Sequence, residues 1–251
     1  MNYFLKMVAI VLLISMVAFS GCMANTDNNN NQNIDNQVNT PNNVQTNHHN
    51  NRNVVNNNGD INTTIMHTII ASYPKQELSE KEKEGLIEMR EEEKLARDVY
   101  LALYNKWKIP IFQNIANSEL SHTTSIKILL DKYGIKDPVV DDTPGKFTNP
   151  KYQKLYNDLI EKGYKSVIDA LIVGCTIEDL DIKDLQYWAS ITDNEDIKFT
   201  YANLEKGSRN HMRSFYRLLK NYGGNYTPKY ISQEEFEQII NSQIERGPVN
   251  R

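Results

Sequence analysis

Glu119 and His122 stand three residues apart in a stretch whose apolar residues, Phe112, Ile115, Ile126, Leu129 and Tyr133, recur at helical spacing. On a helix that spacing places a carboxylate and an imidazole one turn apart on one face, so both can reach a single ion. Glu93 interrupts the stripe Leu86, Met89, Ala96, Tyr100 and Leu103. Glu178 interrupts Val167, Leu171, Leu185 and Trp188, and His211 interrupts Tyr201, Leu204, Phe215, Leu218 and Tyr222. Glu91 and Glu92 fall off the first stripe and read as a solvated acidic face without chemistry. Three carboxylates buried together without compensation would cost on the order of several kcal/mol for each ion, so a positive group is expected among them. Oxygen and imidazole donors without thiolate suit iron or manganese. Each residue alone has a plainer reading, a snorkelling glutamate or a satisfied core histidine. Five of them at one level on four helices favour a metal site.

The elements that must position these residues can be traced from the punctuation of the chain. Ser79 with Glu82 forms a capping box, and helix A runs from there to about Trp107. Pro110 opens helix B, which runs to Tyr133 and stops at Gly134. Pro138, Pro144, Gly145 and Pro150 make the following connection irregular, with a minor helix expected over Lys151 to Glu161. Ser166 caps helix C, which extends to about Ser190, and helix D ends at Gly223. Two short loops flanking one long crossover give the connectivity of a ferritin-like four-helix bundle. A short helix capped by Ser232 with Glu235 is expected beyond it. An internal repeat links helices B and D, because His122 and His211 each lie 12 residues before a glycine (134 − 122 and 223 − 211). Counted from the interhelical turns at ~1.5 Å per residue, all four helices carry their polar groups within one or two turns of a common layer.

Other residues border that layer. Tyr100, two turns after Glu93, could hydrogen-bond a ligand, although a core tyrosine is an equal reading. Arg97 and Arg209 suit pairing with the carboxylates around the site. Cys175 reads as a small buried residue rather than a redox thiol.

The first quarter of the chain belongs to another class. Residues 1–22 read as an export signal, with Lys6, the apolar run Met7 to Phe19, and Ser20-Gly21 before Cys22. Cys22 in that place resembles the lipidated cysteine of a prokaryotic lipoprotein, plain secretion being the alternative. The expected location is therefore outside the cytoplasm, with a lipid anchor in the membrane. Residues 23–76 are asparagine-rich at first and read as a disordered tether, with residues 77–224 as the bundle and 225–251 as an extension. The histidines His48 and His49 lie in the tether without partner ligands. No disulfide framework is available, and a formal charge of −4 with intermixed signs excludes the basic field that a nucleic-acid partner needs.

The runs Glu-Glu-Lys-Leu-Ala-Arg-Asp-Val-Tyr100, Asn-Ile-Ala-Asn-Ser-Glu119-Leu-Ser-His122, Val-Gly-Cys-Thr-Ile-Glu178-Asp-Leu-Asp and Gly-Ser-Arg-Asn-His211 resemble the DUF2202 family of the ferritin-like superfamily. The resemblance covers roughly residues 77–240 and implies a ferritin-like fold without an established reaction. It implies Glu93 as the helix A ligand, Glu119 and His122 as the helix B pair, Glu178 as a bridging carboxylate and His211 as the helix D histidine. Ser208 departs from that pattern by standing where a symmetric di-iron site has a glutamate, and Asp181 on helix C could compensate. The expected function is a surface-anchored metalloprotein whose iron or manganese ions react with dioxygen or peroxide, as a ferroxidase-like or peroxidase-like oxidoreductase. The competing expectation is a non-catalytic envelope binding module whose inward polar groups are structural. The sequence gives no oligomeric state.

Overall fold

The computed structural model describes residues 54–247. The export signal, Cys22, the histidine pair and the tether up to residue 53 lie outside the described residues, and so do residues 248–251.

Among the described residues the chain is all-helical apart from one isolated bridge between Val55 and Ile61. In chain order the helices are α1 (Thr63–Ser72), α2 (Glu80–Trp107), α3 (Pro110–Tyr133), α4 (Pro150–Gly163), α5 (Val167–Ile191), α6 (Glu195–Asn221) and α7 (Gln233–Asn241). Helices A, B, C and D are α2, α3, α5 and α6. The start of α2 is fixed by the capping box, in which Ser79 N donates to Glu82 Oε2 at 2.8 Å and Glu82 N donates to Ser79 Oγ at 3.2 Å. Glu82 Oε1 also accepts from Thr192 Oγ1 at 2.5 Å and Asn194 Nδ2 at 2.8 Å. One carboxylate thereby ties the start of α2 to the α5–α6 turn and sets their relative height. Gly134, at φ 72, takes the left-handed conformation that ends α3 and gives its amide to Leu130 and Asp131 carbonyls.

The long helices pack as the pairs α2 with α3 and α5 with α6, joined by contacts between α2 and α5 and between α3 and α6. The crossover from α3 to α5 is clamped to α2. Arg90 bonds Asp137 in it, while the buried Lys94 ammonium bonds Asp98 at 2.5 Å and the carbonyls of Thr143 and Lys146. At the far end, Asp179 accepts the Tyr226 hydroxyl and the amides of Lys229, Tyr230 and Ile231, which fastens the segment leading to α7. No helix among the described residues is long and apolar enough to cross a membrane.

Two expectations are corrected. The reading of residues 23–76 as tether fails over its second half, because residues 54–72 form a strap folded onto the helices. Val54, Val55, Ile61, Met66 and Ile70 are buried in one core with Leu86, Met89, Ile126, Leu129, Leu130 and Leu204. The asparagines there do local backbone work that composition conceals: Asn56 Oδ1 accepts from the amides of Asn58 and Asp60, and Asn62 caps α1. The second correction concerns Glu91 and Glu92, which are buried rather than solvated. The crossover covers that face of α2, and Asn149 donates to Glu91 at 3.3 Å.

Candidate metal centre

Each of the four long helices brings at least one of the five residues to a common point, and all five are buried. They form two overlapping triads, Glu93 with Glu119 and His122, and Glu119 with Glu178 and His211. Within each triad the potential ligand atoms lie within 4.8 Å of one another. Glu119 belongs to both. Its Oε2 lies 3.0 Å from His122 Nδ1 and its Oε1 lies 2.9 Å from His211 Nδ1, so one carboxylate spans the two halves. Glu93 Oε2 is 3.3 Å from His122 Nδ1, and Glu178 Oε2 is 3.4 Å from His211 Nδ1. The two imidazoles stack with centroids 5.3 Å apart.

The far nitrogens decide the orientation of the rings. His122 Nε2 lies 3.0 Å from the Gly59 carbonyl oxygen, which can only accept. Nε2 is therefore the protonated nitrogen, and Nδ1 of the neutral ring turns a lone pair toward the oxygens of Glu93 and Glu119. Acceptors facing acceptors in a buried space require a proton or a cation between them. His211 Nε2 is 2.9 Å from Ser118 Oγ, a hydroxyl that can serve either tautomer. Despite their nearness to carboxylates, Nδ1 of both rings lacks a partner in hydrogen-bond geometry, as do both oxygens of Glu93 and Asp181 Oδ1. Converging oxygen and imidazole donors of this kind, without thiolate, could hold iron or manganese ions.

Electrostatics point the same way. Burial, together with the neighbouring Glu119 charge, pushes Glu93 up to about 7 against the pull of His122. Burial also acts to raise Glu119, but the charges of His211 and His122 outweigh it and hold this carboxyl well below the ordinary range. Against the lowering effect of burial, Glu119 and Glu178 lift His211 to about 10, and Glu119 and Glu93 lift His122 well above its usual value. Burial raises Glu178, and burial with Glu93, Glu92, Glu119 and Glu178 around it raises Asp181 strongly. In the metal-free protein protons take the place that cations would fill.

Around this set, Tyr100 donates to Glu178 Oε1 at 2.5 Å and packs against Phe215 with the rings tilted by 47°. Ser208 Oγ bonds Asp181 Oδ2 and Leu204 O. Arg209 and Arg97 do not reach the site. Arg209 pairs with Glu205 at 2.6 Å and Glu245 at 2.7 Å, and Arg97 with Asp98 at 2.8 Å and Asp142 at 2.7 Å, because both point away from the seam of their helices. Cys175 is buried and free.

Three contributors escaped the sequence reading. Ser118 and Gly207 each lie four residues before a site histidine, a position that the repeat could have flagged. A Cβ on Gly207 would sit 2.5 Å from His122 Nε2, and one on Gly59, which has φ +89, would sit 2.3 Å from His211 Nε2. Only glycine fits either place, and Gly59 carried no signal beyond being the one glycine among asparagines.

The model of the uncharacterized protein domain DUF2202 matches residues 82–243. The chain belongs to the DUF2202 family. It is similar to the uncharacterized protein MJ0754 of Methanocaldococcus jannaschii, with 67% identity over 178 residues, which is 71% of this chain and 96% of that protein. It is also similar to the crystal structure of hypothetical protein MJ0754 from Methanococcus jannaschii, with a TM-score of 0.68 and 67% identity, covering 69% of this chain and 99% of that one. The DUF2202 match takes in all five candidate ligands, whereas the strap bearing Gly59 precedes it.

Proposed function

We propose that the protein is a ferritin-like four-helix metalloprotein whose two ions, iron or manganese, react with dioxygen or peroxide in iron oxidation or oxidant removal. The observation that carries this reading is the placement of Glu119, one oxygen toward each histidine, so that it belongs to both buried triads, with Nδ1 of both rings and both Glu93 oxygens unpartnered. Glu93, Glu119 and His122 would hold one ion, and Glu119, Glu178 and His211 the other. When bound, the ions supply the electrons that reduce dioxygen or peroxide. The chain's own part is to bind, orient and exclude. The Gly59 carbonyl keeps the His122 lone pair on Nδ1, and Tyr100 holds one Glu178 oxygen while leaving the other toward His211. Phe112 and Phe215 pack with Tyr100 as tilted rings beside the site, and the strap closes the side beside Gly207. Export and lipid attachment at Cys22 form part of the same proposal and rest on the sequence of residues 1–22.

The test is metal analysis of protein purified without chelators, followed by stopped-flow absorbance after mixing with Fe(II) and oxygen. About two ions per chain and an oxidation rate lost in Glu119→Ala are expected. Absence of bound metal, or a rate no greater than that of Glu119→Ala, would overturn the proposal.

A further inference from the structure

The two halves of the site differ at a matched pair of positions. Three residues before its histidine, α3 carries Glu119 while α6 carries Ser208, so α6 brings no carboxylate. The opposite difference separates the other two helices. Three residues after its glutamate, α2 carries Ala96 while α5 carries Asp181. A carboxylate lost from one helix has a counterpart gained on its neighbour.

Asp181 is buried, and its charge neighbours are Glu93, Glu92, Glu119 and Glu178. Its Oδ2 accepts from Ser208, while its Oδ1 has no hydrogen-bond partner. One oxygen held by a hydroxyl and the other left free is the disposition of a monodentate ligand with its orienting partner. We propose that Asp181 is a further protein ligand of the divalent-metal pair, supplied by α5 in place of the carboxylate missing from α6, and that Ser208 is its positioning residue. This rests on the dinuclear reading above. With Asp181 the proposed ligand carboxylates are Glu93, Glu119, Glu178 and Asp181, four negative charges that two divalent cations would balance.

The experiment is an anaerobic Co(II) titration of the whole protein, read by visible ligand-field absorption and by equilibrium dialysis, with the melting temperature of each metal-free variant measured alongside. Wild type binds two ions per chain. Fewer than two overturns the dinuclear reading itself. Given two, Asp181→Asn weakens one of them on the order of 100-fold and alters its absorption bands, beyond the ~10-fold expected from loss of an orienting partner alone. Ser208→Ala retains both ions with a loss of ~10-fold or less. If Asp181 were only a hydrogen-bond partner of Ser208, Asp181→Asn, whose amide oxygen can still accept from that hydroxyl, would weaken binding no more than Ser208→Ala does. A loss in Asp181→Asn no greater than in Ser208→Ala, or Co(II) binding within about twofold of wild type in Asp181→Asn, overturns the proposal. Metal-free Asp181→Asn melts no lower than wild type, since the amide matches the carboxyl in shape, adds no buried charge, and keeps an oxygen that accepts from Ser208. A lower melting temperature in that variant, together with equal losses in both, assigns Asp181 a structural role.

Discussion

Gly59→Ala is the sharpest test of the strap that the sequence presents as tether. Alanine would have to adopt φ +89, a left-handed conformation that costs a residue with a Cβ ~1–2 kcal/mol. Its methyl would also lie 2.3 Å from His211 Nε2 and 2.8 Å from His211 Cδ2, and forcing a carbon into packed surroundings costs ~1–3 kcal/mol. The docked strap should therefore lose ~2–5 kcal/mol, and even the lower figure corresponds to a roughly 30-fold rise in its open population. Native-state hydrogen exchange of the α1 amides reads this directly. Gly134→Ala is the control. Gly134 is also left-handed, at φ +72, but no atom lies within 4 Å of its would-be Cβ, so only the conformational cost of ~1–2 kcal/mol applies and α1 should not respond selectively. Equal α1 protection in Gly59→Ala and wild type would refute this close approach.

Two further outcomes follow from the charges. In the metal-free protein Glu93 is raised to about 7 from 4.5 and His211 to about 10 from 6.5, so the folded state holds protons that the unfolded chain has released. That stability is present below the unfolded values and is lost as pH rises through about 7 and then about 10. Melting temperature without metal should fall from pH 5 to 9, and Mn(II) should raise it more at pH 8 than at pH 6; a flat metal-free profile contradicts the assignment. Glu82→Ala removes the capping box and the links to Thr192 and Asn194 and should cost ~2–4 kcal/mol in urea unfolding at pH 7. Although burial opposes it, hydrogen bonds from Thr192, Ser79 and Asn194 lower Glu82 to about 2, so the deficit of the variant should shrink as pH falls from 4.5 toward 2.

Helix ends were legible because single residues set them. Pro110 and Gly134 bound α3, Ser79 and Ser166 cap α2 and α5, and Ser232 caps α7. Convergence of Glu93, Glu119, His122, Glu178 and His211 was legible because each sits on a seam and the interhelical turns are short enough to count heights across. Burial of Glu92 was not legible, since it depends on Asp184 of α5 and on Lys151 and Tyr152 of α4 coming against that face of α2, a pairing that the periodicity of α2 alone does not encode. The strap was missed for a related reason. Its five buried apolar residues are spread over 17 positions, 54 to 70, too thinly for a pattern, and its asparagines serve as turn and cap rather than as solvated chain.

The strap nevertheless answers a question posed by the repeat. Ser118 and Gly207 occupy equivalent positions, four residues before His122 and His211, and each faces the histidine of the other half. Ser118 gives His211 Nε2 a hydroxyl partner. Gly207 has no side chain to give His122, but its bareness lets the Gly59 carbonyl come within 3.0 Å of the same nitrogen. A backbone oxygen from outside the four long helices thus takes the part that a serine plays in the other half, and it takes it more strictly, because a carbonyl accepts only while a hydroxyl can also donate. The two histidines are therefore unequally constrained: the Gly59 carbonyl fixes which nitrogen of His122 carries its proton, whereas His211 can exchange tautomers with Ser118. Under the proposed dinuclear reading, loss of the strap should remove the Nε2 hydrogen bond of His122 and leave that of His211, so the ion proposed at Glu93 is the one whose affinity should depend on residues 54–72.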